Sequence, residues 1–90
     1  MELDVFDTYV TQSNGKLMHF DVFLPKGSSR TLAEKYALEW LESVQIKTDS
    51  INLEKCRFCH TESASPEYEQ AVKSQGYAIL QMEGCPSPIY

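Results

Sequence analysis

The sequence predicts an α+β domain with a four-stranded mixed sheet and two helices on one of its faces, in the order β-β-α-β-α-β. Two alternating β-rich runs separated by Asn14-Gly15 predict an opening hairpin, and two later segments carry helix-start signals, each followed by a short β-rich run. Right-handed crossovers would place both helices on the same side of the sheet, giving a two-layer sandwich. The chain has 90 residues, and we expect a single domain over 1–90.

The hairpin is predicted over residues 2–24, and its register depends on the length of the turn. A two-residue turn pairs Val10 with His19, whereas a three-residue loop with a left-handed Gly15 pairs Val10 with Met18. A slip of one residue exchanges the two faces of a strand, so the register that separates apolar from polar side chains is favoured. We therefore predict the three-residue loop. It gathers these apolar residues on one face: Phe6, Val10, Met18, Phe20, Val22 and Leu24.

The opposite face of the hairpin carries the candidate catalytic residues. In the preferred register Asp7 lies directly across from Asp21, and Tyr9 lies across from His19. Opposed like charges destabilise a sheet, and two close carboxylates raise the pKa of one of them or bind a cation. A functional polar cluster and a merely solvated sheet face are both compatible with this pattern. The same face also carries apolar residues that suit self-association if it stays uncovered: Leu3, Val5, Leu17 and Phe23.

The first helix is predicted over about 31–44. Thr31 and Glu34 fit a capping box, in which a hydroxyl and a carboxylate satisfy each other's backbone N–H groups. Apolar residues then recur at helical spacing on one stripe, with Trp40 as its largest member. We expect this stripe to pack on the apolar face of the hairpin.

The second half of the chain contains a strand, a helix and a strand. A strand is expected within 51–61. Ser65 as N-cap and Gly76 as stop signal delimit a helix over about 66–75. The last strand is expected at about 77–82. An irregular tail over 83–90 follows it, because its glycine and prolines interrupt regular structure.

Composition narrows the classes of function. The formal net charge is −5 and basic residues form no stripe, so we expect neither nucleic-acid binding nor attachment to an anionic membrane. No segment has the ~20 apolar residues of a membrane span, and the first residues do not resemble a signal peptide. We therefore expect a cytoplasmic protein whose three cysteines are thiols, metal ligands or redox groups.

The run from Cys56 to His60 has the pattern Cys-x-x-Cys-His. As a zinc site, Cys56 and Cys59 would supply two ligands, and Cys85 with either His60 or His19 would complete the set. A redox pair is a second interpretation, and plain packing of the thiols in a strand is a third. The letters also match c-type haem attachment, but that chemistry normally follows export, so we do not expect a haem. The cofactor therefore stays open, with zinc as one candidate.

Four stretches together resemble a known family: Phe6 to Val10, Met18 to Val22, Cys56 to His60, and Met82 to Pro86. The chain is similar to the small bacterial proteins of domain-of-unknown-function family twenty twenty-four. The resemblance implies a compact α+β domain and a bacterial source, and it implies no activity. The hallmark residues shared with the family are Asp7, Tyr9, His19, Asp21, Cys56, Cys59, His60 and Cys85.

Three functional hypotheses follow. We favour a small binding module in which the Cys-x-x-Cys-His loop and Cys85 bear a metal or reactive thiols. The alternative is a protein-interaction module that forms homodimers through the open sheet face. A small enzyme with acid–base groups at Asp7, His19 and Asp21 is the third hypothesis. We favour a binding function over an enzymatic one.

Overall fold

The structure is a computed structural model in which residues 1–85 are described, so the end of the predicted tail, 86–90, lies outside the described residues. The α+β class and the predicted order of elements are confirmed. The strands are β1 (Glu2–Gln12), β2 (Leu17–Pro25), β3 (Ile51–Ser63) and β4 (Ala78–Gln81), and the helices are α1 (Arg30–Ser43) and α2 (Pro66–Gln75). Neither of these helices has the length and apolar character needed to cross a membrane.

The four strands form one sheet in the order β3-β1-β2-β4. Every neighbouring pair is antiparallel, so the prediction of a mixed sheet is wrong. The physical reason is that β3 and β4 add to the two outer edges of the hairpin. The strands β2 and β3 run parallel to one another, but β1 lies between them and they share no hydrogen bonds.

The predicted register of the hairpin is confirmed. Val10 pairs with Met18, and the connecting loop has three residues between the paired Gln12 and Lys16, whose backbone N–H to O distance is 2.9 Å. Gly15 has a φ of 86°, a left-handed conformation that glycine adopts without the clash of a Cβ atom. This turn fixes which side chains share a face.

The first face of the sheet packs against α1, and we call it the α1 face. Phe20 and Trp40 meet there with ring centroids 4.8 Å apart. The buried core of this face is built from the predicted hairpin residues, residues of α1, one thiol and the tyrosine that precedes β4: Phe6, Val10, Met18, Phe20, Val22, Leu24, Ala33, Ala37, Trp40, Leu41, Cys56 and Tyr77. Burial of this apolar surface is the main contribution to the stability of the fold.

The second helix packs on the opposite face, which we call the α2 face, so the prediction of both helices on one face of a two-layer sandwich is wrong. Phe23 and Tyr68 lie with their ring centroids 4.5 Å apart on this side. The handedness rule constrains connections between parallel strands, but β3 and β4 run in opposite directions at opposite edges. Apolar side chains on this face then favour covering it with α2, and the buried cluster there is Leu3, Val5, Phe23, Val72 and Ala78.

The helix ends agree in part with the predicted caps. Ser65 is the N-cap of α2 and Gly76 ends that helix in a left-handed conformation, as predicted. For α1 the predicted cap at Thr31 is wrong, because Ser29 accepts the backbone N–H of Leu32 and the helix begins at Arg30. Ser29 stands three residues before the amide it caps, the usual geometry for a serine hydroxyl.

Candidate functional site

The α2 face also carries a cluster of polar side chains that is only partly buried. Asp7 pairs across the strands with Asp21, and Tyr9 pairs with His19, as the predicted register required. The Nε2 atom of His19 lies 2.6 Å from an Asp7 carboxylate oxygen. The side chains of His19 and Asp7 are 21% and 26% exposed, so the cluster is half-buried and still open to small solutes.

Asp7, His19 and Asp21 each present one donor atom toward a common point. Their donor atoms all lie within 4.8 Å of one another, and in residues 1–85 no other group of three or more histidine, cysteine or acidic residues is this close. All three side chains come from the hairpin, where alternate residues of a strand point to the same face. The register set at Gly15 therefore builds this site.

The carboxyl group of Asp21 has a raised pKa. Burial, followed by the negative charge of Asp7, raises the pKa of Asp21 from 3.8 to about 6, while the charges of His19 and His60 oppose the increase. A hydrogen bond between the carboxyls of Asp21 and Asp7 also favours the protonated form. Because the carboxyl groups of Asp7 and Asp21 lie so close together, they resist simultaneous ionisation unless a cation binds between them.

Tyr9 orients the imidazole of His19. The two rings are stacked with centroids 4.1 Å apart and an interplanar angle of 8°. The Lys55 ammonium lies 5.2 Å from the centroid of the Tyr9 ring, a distance at which the cation is attracted by the aromatic ring. Stacking restricts the rotation of His19 and keeps its Nε2 atom directed at Asp7.

The backbone of His19 is fixed by the chain that follows β4. Its N–H donates to the carbonyl of Glu83 at 2.9 Å, and its carbonyl accepts the N–H of Met82 at 3.0 Å. The Cys85 thiol also donates to that carbonyl at 3.3 Å. Although β4 ends at Gln81, pairing continues beside the histidine. The position of His19 is thus restricted both by the stacking of its ring on Tyr9 and by the hydrogen bonds of its backbone.

The edge strand β3 supplies basic groups that sequence reasoning missed. Arg57 lies directly across from Asp7, and Lys55 lies across from Tyr9. The β1–β3 register shifts twice, between Val5 and Phe6 and between Tyr9 and Val10. Such irregularities change which residues of a strand share a face. No pattern in the sequence shows where these register shifts occur. The alternation of side chains along β3 therefore could not predict that Arg57 and Lys55 lie beside the carboxylates.

The structure does not bring the predicted thiol set together. Cys56 is buried in the core of the α1 face, where it accepts the hydroxyl of Thr8 at 3.6 Å, and burial raises the pKa of its thiol. Cys59 is exposed, and Cys85 lies against the backbone of β2. His60 lies 2.7 Å from Glu62, with which it forms an exposed pair. Cys85 packs at the margin of the core that contains Cys56. Among residues 1–85, however, no three members of the predicted set lie close enough to share an ion.

The comparisons with known proteins agree with this fold. The family model described as "Domain of unknown function (DUF2024)" matches residues 1–82. The chain belongs to this family. Asp7, His19 and Asp21 all lie within the matched residues of the DUF2024 domain, whereas Cys85 lies just beyond them.

A solved relative of this DUF2024 chain comes from Nitrosomonas europaea. The NMR structure of its protein NE1680, a target of the Northeast Structural Genomics Consortium, is 42% identical to this chain, with a TM-score of 0.79. The similarity covers 94% of this chain and 99% of that chain. No curated protein matches the chain at a significant level. The family description and the name of this relative assign no activity.

Proposed function

We propose that this DUF2024 domain binds a divalent transition-metal ion through Asp7, His19 and Asp21. The proposal keeps the expected metal-binding module but replaces its expected ligands, three thiols and the imidazole of His60, by two carboxylates and the imidazole of His19. The observation that carries it is the convergence of three donor atoms within 4.8 Å of one another. Ligands of one ion bound at about 2.1 Å lie within about 4.2 Å of one another, so small side-chain rotations would bring all three onto the same ion.

The chemical types of the three donor groups limit which metal ions suit the site. One imidazole nitrogen and two carboxylate oxygens suit Mn²⁺, Fe²⁺ or Zn²⁺, whereas Cu⁺ prefers sulfur and Ca²⁺ prefers oxygen ligands alone. Three protein ligands also leave at least one coordination position for water or another small ligand. A metal centre of this type would be accessible from solvent, because the cluster is only half-buried.

The electrostatics of the cluster support cation binding. The proximity of Asp7 contributes to the raised pKa of Asp21, so an added divalent charge would stabilise both carboxylates in their ionised forms. The Nε2 atom of His19 and a carboxylate oxygen of Asp7 lie 2.6 Å apart and share a hydrogen bond. On metal binding the ion would take the place of the shared proton, which would be released to solvent. The stack with Tyr9 already directs the imidazole, so little side-chain entropy remains to be lost on binding.

Metal content and affinity test the proposal. Protein purified without chelator is analysed by inductively coupled plasma mass spectrometry, and Mn²⁺ and Zn²⁺ are titrated into apoprotein by isothermal calorimetry. We expect one ion per chain. Asp7→Asn, His19→Gln and Asp21→Asn should each weaken binding by at least about 10- to 100-fold, the loss typical of a residue that only supports a ligand, since each removes one of three ligands.

The matched control is His60→Gln. His60 and Glu62 form another histidine–carboxylate pair at 2.7 Å, but that pair is exposed and lacks a second carboxylate. Because His60 acts on Asp21 only through its charge, its loss should change the metal affinity far less than the loss of a ligand does. Absence of stoichiometric binding in the wild-type protein, or equal losses in the His60 and His19 variants, would refute the site.

Acid–base catalysis without a metal is a second candidate function, supported by the short contact between His19 and Asp7 and by the pKa of Asp21 near 6. A carboxyl that titrates near neutrality can act as a general acid while a neighbouring imidazole acts as base. Stoichiometric metal binding by the same three side chains would favour the first function over this one.

A further inference from the structure

We propose that the metal centre takes a small anion bearing a carboxylate or phosphate group, which coordinates the ion and is bound on its β3 side by Arg57. This inference rests on the proposed function and adds the chemical class of the ligand. The supporting observation is that the half-buried carboxylate–imidazole cluster lies beside two cations of the adjoining strand. Neither cation forms an ion pair within the described part of the chain. The cluster selects the ion, and the cations select what reaches the ion from solvent.

Arg57 is positioned beside the cluster by the sheet itself. It lies directly across from Asp7 in the β1–β3 ladder, on the α2 face. The Asp7 carboxylate is engaged by His19 at 2.6 Å instead, and throughout the described chain no carboxylate lies within ion-pair distance of Arg57. A guanidinium left free in this way can donate two parallel hydrogen bonds to a planar carboxylate or to a phosphate.

Lys55 lies two positions along the same strand. Its ammonium is held over the Tyr9 ring at 5.2 Å from the centroid, and none of the ion pairs found in residues 1–85 includes it. Tyr9 in turn stacks on His19. The Lys55 ammonium therefore contacts the Tyr9 ring, and the Tyr9 ring contacts the His19 imidazole. These two contacts connect β3 with the cluster.

Charge balance favours an anion over a neutral ligand. A divalent ion is neutralised by the carboxylates of Asp7 and Asp21, and His60 on β3 is engaged by Glu62. Among the described residues, the charges of Arg57 and Lys55 then remain without a counter-charge in the loaded site. A positive region beside an open coordination position attracts small anions and orients them toward the ion.

Anion binding is measured on protein loaded with Mn²⁺ and freed of excess metal. Oxalate and, separately, inorganic phosphate are titrated by isothermal calorimetry, and displacement of bound water is followed by the water-proton relaxation rate of Mn²⁺. Retention of one Mn²⁺ per chain after the titration shows that the anion has not removed the ion. We expect at least one of the two anions to bind, and Arg57→Gln to weaken it about 10-fold or more with unchanged Mn²⁺ affinity.

Arg30→Gln is the matched control, because Arg30 forms a surface pair with Glu34 on α1 and its loss removes the same charge. It should leave anion binding unchanged. If Mn²⁺ binds but neither anion does, or if both arginine variants behave alike, the anion inference is overturned while the metal site stands. If neither Mn²⁺ nor Zn²⁺ binds, the metal site and the anion inference are both overturned.

Discussion

At the scale of single residues, the ionised carboxylate of Asp21 is expected to destabilise the metal-free protein at neutral pH. Its raised pKa, about 6 against 3.8, means that the folded state binds a proton more tightly than the unfolded state does. The contribution of Asp21 to stability should therefore be most favourable below about pH 4 and become less favourable as the pH rises toward 6. A shift of this size corresponds to at most about 3 kcal/mol, and to about 1–2 kcal/mol after allowing for solvent screening of a half-buried group.

Asp21→Asn should accordingly stabilise the metal-free protein by about 1–2 kcal/mol at pH 7, and the gain should vanish below about pH 4. Urea unfolding at several pH values measures this. Asp49→Asn, at an exposed position in a short turn, serves as the control and should change stability by about 0.5 kcal/mol or less. A destabilised Asp21 variant at pH 7 would show that the ionised carboxylate is well accommodated without metal. Stabilisation with loss of metal affinity is the pattern of a residue kept for function.

The residues of the site were predictable only where one strand pairing determines them. The opposition of Asp7 to Asp21 and of Tyr9 to His19 follows from the Gly15 loop and from the alternation of polar and apolar residues. The positions of the three cysteines were not predictable in this way, because their spacing in the sequence does not determine which face of a strand each one occupies. Cys56 proved to be a core residue.

At the scale of elements, the segment after β4 determines the position of His19. Gly84 has a φ of 74°, and a Cβ atom there would collide with the backbone carbonyl oxygen of Leu17. Gly84→Ala should therefore separate this segment from β2 and release the hydrogen bonds to the backbone of His19. We expect a loss of stability above about 2 kcal/mol, larger than the roughly 1 kcal/mol of left-handed strain alone, together with weaker Mn²⁺ binding.

Gly27→Ala is the matched comparison, because Gly27 has a φ of 90° and a Cβ atom added there would meet nothing within 4 Å. It should show only the backbone strain and leave metal affinity intact. Urea unfolding, Mn²⁺ calorimetry and amide hydrogen exchange at His19 measure the contrast. Equal effects of the two substitutions would show that the segment after β4 does not support the site.

The limits of the elements were largely encoded in local signals. Ser65 and Gly76 delimit α2 as predicted, because both ends depend on residues that lie next to one another in the sequence. β3 runs from Ile51 to Ser63, beyond the expected window, and its two register irregularities have no local signature. Strand length and bulges are determined by the partner strand, which a single segment does not reveal.

At the scale of the whole molecule, two cores share one sheet. Val72 of α2 and Leu41 of α1 are buried on opposite sides of the β1–β2 ribbon. We expect Leu41→Ala to cost about 2–5 kcal/mol and Val72→Ala about 1–3 kcal/mol. Both variants should unfold in one transition, because the loss of either core removes support from the strands that form the other.

Trp40 reports on this coupling because it lies on the α1 face, away from Val72. In the Val72 variant, Trp40 fluorescence and far-ultraviolet circular dichroism should give the same midpoint in urea. If α2 unfolds at a lower urea concentration while the Trp40 signal is unchanged, the two cores are independent. The placement of α2 itself was not predictable from handedness, because β3 and β4 run in opposite directions.

One further consequence follows from the hairpin. The donor set proposed for the metal ion is encoded between Asp7 and Asp21, within a single β-ribbon joined by a loop of three residues. Genetic exchange of that one short segment would carry all three proposed ligands in the same mutual arrangement to another antiparallel sheet. Helices and edge strands could then diverge around it, and the two basic residues of β3 could change what the ion attracts without altering the ion's own ligands.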